Sequence, residues 1–228
     1  TPSTLHKEKL RLLTEAGLRE IRMGIQTAGS ETKQLYKRPH TNQQVENAVR
    51  MVFNEKSVEG KYDIILDSPW DTREDTTETL MFLSKLPTPY KLTLFSLVLF
   101  PGTDLYRKGK KEGIIKDDVN DIYRKYYHGC KKTYLNSLFF LIKDYAEIGS
   151  NMISERLMSF LTNNRNKFFH KPTLVLLRAI YLVAKINYLI KRKGFTRTAY
   201  RLITNPRLKK IFAPFSLKRG NNIMELEP

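Results

Sequence analysis

The residues able to do chemistry gather at the ends of apolar runs. Gln26 closes the run Ile21-Arg22-Met23-Gly24-Ile25, where its amide can hold a ribose hydroxyl or order the loop that follows. Arg38 lies twelve positions on, just before Pro39, as a bidentate clamp for a carboxylate or as a solvated surface cation. Asp63 and Asp67 bracket Ile64-Ile65-Leu66. Acids that open strands are usually solvated, so Asp67 has the better position for polar substrate contact. Trp70 can wall a pocket or cover a sheet edge, and His40 is a candidate proton donor beside them. His6, His128 and His170 read as surface or packing residues, because no His-x-x-x-His or similar ligand spacing occurs. The single cysteine, Cys130, reads as a buried thiol in a helix in preference to a nucleophile, and it excludes a disulfide framework or a cysteine-built metal site within one chain.

These groups need a scaffold, and the pattern around them supplies one. Ile64-Ile65-Leu66 is a continuous apolar run, as expected of a strand covered on both faces in a parallel sheet. Pro69 forbids further ladder bonding, and Thr72 with Asp75 reads as a capping box opening a helix to about Leu86. Before it, residues 5–16 read as a helix stopped by Gly17, residues 21–26 as a strand, residues 34–37 as a short helical segment, and Thr41 with Gln44 as a second capping box. After it, Pro87 and Pro89 lead to a strand over residues 92–99, and Thr103 caps a helix ended by Gly113. Helix, then strand–helix three times, with no hairpin signal, implies right-handed parallel crossovers. Three parallel strands cannot close a barrel, so partner strands are missing or the sheet is small and open.

Beyond Asp117 the pattern is helical only. Residues 119–147 form one segment or two with Gly129 as the break, and residues 150–163 form another. Residues 172–191 are strongly apolar, and Gly194, Pro206 and Pro214 punctuate a basic tail. Residues 1–116 carry 19 Lys and Arg against 15 Asp and Glu, whereas residues 117–228 carry 21 against 8, so the basic character belongs to the second half and the natural cut falls near Asp117. Apolar content of 41% supplies a core, so disorder is not the default reading. Residues 173–190 approach the roughly 18–20 apolar residues that span a bilayer. Arg178 and Lys185 interrupt them, and a central charge costs about 2.5–3.5 kcal/mol each on insertion, so an amphipathic helix is expected instead of a span. The apolar face of that helix is open to two readings, packing against the barrel, which is favoured, or contact with an anionic membrane surface. No cleavable signal peptide is visible, and a reducing cytoplasm is the expected setting, with peripheral membrane contact as the alternative that the second reading carries.

Taken together, the strand ends resemble the radical S-adenosylmethionine (SAM) superfamily, in its branch with an N-terminal cobalamin-binding domain, with motifs shared by coproporphyrinogen-oxidase-like relatives. The matching pieces are Arg22-Met23-Gly24-Ile25-Gln26 with Leu35-Tyr36-Lys37-Arg38-Pro39, then Tyr62-Asp63-Ile64-Ile65-Leu66-Asp67-Ser68-Pro69-Trp70-Asp71-Thr72, then Phe100-Pro101-Gly102-Thr103-Asp104-Leu105-Tyr106. The likeness covers about residues 5–116. It implies an α/β fold in which three parallel strand–helix units form the back half of a partial (βα) barrel, residues 1–116, followed by an all-α basic extension, residues 117–228.

The family's three-cysteine motif for the 4Fe-4S cluster and its Gly-Gly-Glu segment are absent here. The loop Thr27-Ala28-Gly29-Ser30-Glu31 also departs from the family pattern by one residue. The resemblance therefore implies a fragment or split-gene product that is not catalytically complete alone. Its partner would be the cluster-bearing N-terminal half, acting on a small-molecule substrate, with methyl transfer as the leading chemistry if cobalamin is present. It assigns SAM contacts to Gln26, Arg38 and Asp63, with exposed backbone at Leu97 and Val98 for the adenine edge. Asp67, Trp70 and His40 fall to the substrate cavity. The competing expectation is a non-catalytic α/β domain whose basic helical tail binds anionic membrane or nucleic acid.

Overall fold

The computed structural model describes residues 2–194; the tail punctuated by Pro206 and Pro214 lies outside them. The chain forms two compact units, residues 1–181 and 182–228.

In the first unit, α1 (Lys7–Glu15) leads through Gly17 into β1 (Glu20–Gln26). The short α2 (Ser30–Leu35) and then α3 (Asn42–Asn54) cross to β2 (Glu59–Leu66), and α4 (Arg73–Lys85) crosses to β3 (Lys91–Ser96). The three strands pair in parallel in the order β1-β2-β3, as the strand–helix alternation predicts. Then come α5 (Asp104–Lys111), a π-turn at Val119–Tyr123, α6 (Tyr134–Glu147) and α7 (Glu155–Thr162). The final helix, α8 (Lys167–Lys193), begins in the first unit and contains the boundary with the second. Both β2 and β3 differ from their sequence-based limits. β2 starts earlier because Glu59 pairs with Glu20, and β3 stops at Ser96, so Leu97 and Val98 follow the strand and do not belong to it.

Every strand alternates. Met23, Ile25, Tyr62, Ile64, Leu66, Leu92 and Leu94 are buried, and their neighbours in sequence are half-buried or exposed. The buried set packs against Val45, Ala48 and Val49 of α3 and Leu80 and Leu83 of α4, both crossovers lying on one face of the sheet. The same core takes in Leu138, Phe139, Ile142 and Tyr145 of α6, Met158 and Leu161 of α7, and Leu174 and Leu177 of α8. The boundary expected near Asp117 is therefore a change of charge and element type and not of core: the helices after it complete the layer under the sheet. The two-sided burial expected of residues 64–66 also differs, since the opposite face is covered only at Ile65, which joins a smaller cluster with Leu97, Leu99 and Ile115.

The capping box of α3 is formed in full: Gln44 N–H donates to Thr41 Oγ1 at 3.2 Å and Thr41 N–H to Gln44 Oε1 at 2.8 Å. That of α4 is half formed. Asp75 N–H donates to Thr72 Oγ1 at 3.0 Å, but the Asp75 carboxylate turns away from the Thr72 backbone. It accepts from Thr72 Oγ1 at 2.8 Å and from Glu31 N–H, at the start of α2, at 3.2 Å. The contact is close enough that a Cβ on Gly29 would lie 2.4 Å from Asp75 Oδ1, so glycine is required there.

In the second unit, the described residues are the end of α8 and Gly194. Leu182 and Val183 are exposed, and Arg192 donates to the Tyr188 hydroxyl at 2.8 Å.

Candidate functional site

The face of the sheet turned away from the main core carries the polar groups. Strand alternation places Arg22, Gly24 and Gln26 of β1, Lys61 and Asp63 of β2, and Thr93 and Phe95 of β3 on it. The register sets Gly24 against Asp63 and Asp63 against Thr93. A bulge between Gly24 and Gln26 then brings Gln26 opposite Ile64, with the Gln26 backbone at φ +69°. The Gln26 side chain folds back along the strand: a Cβ on Gly24 would lie 2.2 Å from its Nε2. Gly24 is thus the gap into which the amide fits, and amide and Asp63 share one open face.

Arg22 stands beside them. Its Nε donates to both oxygens of Asp63, at 3.0 and 2.9 Å, and its guanidinium lies 5.8 Å from the Phe95 ring centroid. Asp63 holds the Arg22 guanidinium still higher in pKa than usual, by hydrogen bond first and charge second. Phe95 stacks on His128 at 5.0 Å and on Tyr127 at 5.9 Å, and Tyr127 accepts from Ser96 N–H at 2.6 Å. A recess of about 490 Å³ opens among Arg22, Lys61, Lys91, Phe95, Tyr127 and His128. Lys61 pairs with Glu20 at 2.5 Å and Lys91 with Glu59 at 2.7 Å, so much of its positive charge is neutralised at the rim.

Arg38 and His40 form a second group, after α2. Arg38 N–H donates to Lys33 O at 2.9 Å, while its Nε is buried without a hydrogen-bond partner. His40 is 5% exposed and its Nε2 also lacks a partner. Burial lowers the imidazole pKa from its usual value, and the nearby charges of Lys33 and Arg38 lower it further. The ring is therefore harder to protonate than an exposed imidazole. Among the described residues no hydrogen bond or ion pair joins this group to Gln26 or Asp63.

The other expected residues are placed otherwise. Asp67, at φ +63°, accepts from Lys131 N–H at 2.9 Å and from Asn136 Nδ2 at 2.7 Å, so its carboxylate fastens the end of β2 to the start of α6. Trp70 packs against the smaller apolar cluster and donates through Nε1 to Glu112 at 2.6 Å. Leu97 does not offer free backbone: its N–H donates to Leu66 O at 2.8 Å, and its carbonyl accepts from Lys125 Nζ at 2.5 Å. Lys125 is half-buried there, and desolvation pulls its pKa down. Val98 packs in the same cluster as Trp70 and Tyr36. Cys130, expected as a buried thiol in a helix, is half-buried in the segment before α6, and its thiol pKa is raised, chiefly by desolvation. Among the described residues no three of His, Cys, Asp and Glu gather as metal ligands.

Sequence reasoning passed over Arg22, Phe95, Tyr127 and His128 as site residues. Arg22 was legible, since counting back in twos from Gln26 puts it on the same face. Phe95 needs the strand register, and the tyrosine and histidine need the chain path after α5. No family model and no curated protein matches the chain.

Proposed function

We propose that the chain is the back half of a radical SAM enzyme, supplying one wall of the SAM site and part of a substrate cavity. The observation that carries this reading is the one-sided sheet. Three sequential parallel strands have both crossovers on one face, and the other face holds an amide seated over a glycine beside a carboxylate. Such a face is the inner wall of a partial barrel, in which functional groups gather toward the carboxyl ends of the strands. The cluster-bearing half, on the same polypeptide or on a split-gene partner, would close it.

The residues present fit SAM in chemistry. The Gln26 amide can hold the ribose diol, with Asp63 beside it kept in place by Arg22. Arg38, whose buried Nε has no partner, offers a guanidinium to the carboxylate. With Leu97 engaged, Val98 is left to meet the adenine edge. Tyr36, Ile65 and Trp70 exclude water from the strand ends. When bound, SAM supplies a carbon–sulfur bond whose reductive cleavage begins radical chemistry; cobalamin would direct that chemistry to methyl transfer. A reducing cytoplasm is the setting this requires.

Titration calorimetry of SAM against the chain joined with the upstream half tests the proposal. Arg38→Ala should weaken SAM binding by about 1.5–3 kcal/mol, the range for a charge-assisted hydrogen bond. Arg38→Lys should recover only part, because the two-pronged geometry is lost. Equal affinity for wild type and Arg38→Ala would remove Arg38 from the site, and no SAM binding by the joined protein would sink the reading.

A further inference from the structure

The helix α8 presents two opposed apolar faces. One meets the core: His170, Leu174 and Leu177 are buried at spacings of four and three, the Tyr134 ring stacks on His170 at 4.9 Å, and the Tyr145 hydroxyl donates to Leu177 O at 2.7 Å. The other faces away. Phe168 is 85% exposed, Phe169 55%, Val175 68% and Leu176 59%, and at about 100° per residue they project from the side opposite Leu174 and Leu177. Between the two faces runs a flank of exposed cations, Lys167, Lys171 and Arg178. The whole of α8 carries seven Lys and Arg and no Asp or Glu. Soluble proteins rarely leave this much contiguous apolar surface to water.

We infer that this outward face lies in the plane of an anionic lipid surface, with Phe168, Phe169, Val175 and Leu176 in the acyl boundary and Lys167, Lys171 and Arg178 on the headgroups. Three observations choose this occupant. Within Asn164–Lys193 an 18-residue stretch is long and apolar enough to cross a membrane by length and composition, with a mean hydropathy of 1.6 and only 11% of it buried. Its charge is of one sign, complementary to phosphatidylserine-type headgroups and unfavourable for packing against a second copy of itself. Its inner face is held to the protein by Leu174, Leu177 and the Tyr145 bond, so spanning would require tearing it from the core. An in-plane helix keeps those contacts and lets the cations reach the headgroups on their flexible stems. The inference stands apart from the SAM reading, because lipid binding needs no cofactor and no second half.

Flotation of the full chain with vesicles decides it. Binding to phosphatidylcholine vesicles containing phosphatidylserine should be at least about tenfold tighter than to phosphatidylcholine alone, and should weaken in high salt. The double variant Val175→Glu/Leu176→Glu should lose about tenfold or more of that affinity, and Lys171→Glu/Arg178→Glu likewise. All these positions are exposed, so circular dichroism and the melting temperature should not move. Wild-type binding by Val175→Glu/Leu176→Glu, or no binding of wild type to anionic vesicles at low salt, would overturn the inference. So would resistance of the bound protein to alkaline carbonate, which marks a spanning helix. A dimer that Val175→Glu/Leu176→Glu dissociates, seen by sedimentation without vesicle binding, would assign the face to a second copy.

Discussion

Two buried side chains set the local terms of this fold. Asp75 is 3% exposed and accepts from Thr72 and from the first turn of α2. Asp75→Ala should lower the free energy of unfolding by about 1.5–3 kcal/mol in urea titration, since it leaves buried donors without an acceptor. His40 acts through pH. Its pKa is lowered in the folded state, so below the unfolded value of about 6.5 the unfolded chain takes up the proton first. Stability should therefore be full above that value and fall as pH drops beneath it. Thermal melts between neutral and mildly acid pH should show the decline, and His40→Gln should flatten it. The cap half of Asp75 is written in the local spacing from Thr72. Its second half is not, because Glu31 lies more than forty positions upstream and is brought near only by the crossover. His40 shows the same limit: its residue type is visible in the sequence, but its burial among Lys33 and Arg38 is not.

Between elements, Asp67 is the decisive tie. Both β1 and β2 reach a residue in the left-handed region, Gln26 and Asp67, a conformation that Asn, Asp and Gly tolerate and β-branched residues do not. Asp67→Val should lose both bonds to the start of α6 and strain the backbone, destabilising by about 3 kcal/mol or more. Asp67→Asn should lose much less, which chemical denaturation of the pair would show. The three strands and their helices are legible because apolar runs, capping residues and prolines fall in a strict order. The packing of α6 and α7 under the sheet is not, because an apolar helix face does not name the surface it meets. The same indifference explains the charge boundary near Asp117: Lys and Arg line the outside of helices whose inner sides complete a core begun a hundred residues earlier.

At the scale of the whole molecule, the outer sheet face and the outward side of α8 are two surfaces that the main core does not use. The first bears Gln26 and Asp63 of the proposed cofactor groups and the second the proposed lipid contact. β3 has its margin partly screened by the segment around Tyr127, through the bond from Ser96. β1 is different. It is the other margin of the sheet, seven residues long, and its outer backbone donors and acceptors face no strand among the described residues. Arg22 and Glu20 put exposed charge on it, while Met23 and Ile25 turn into the core. An unpaired edge of this kind offers its backbone to a strand of another chain, and sedimentation at rising protein concentration reads whether two copies pair along β1.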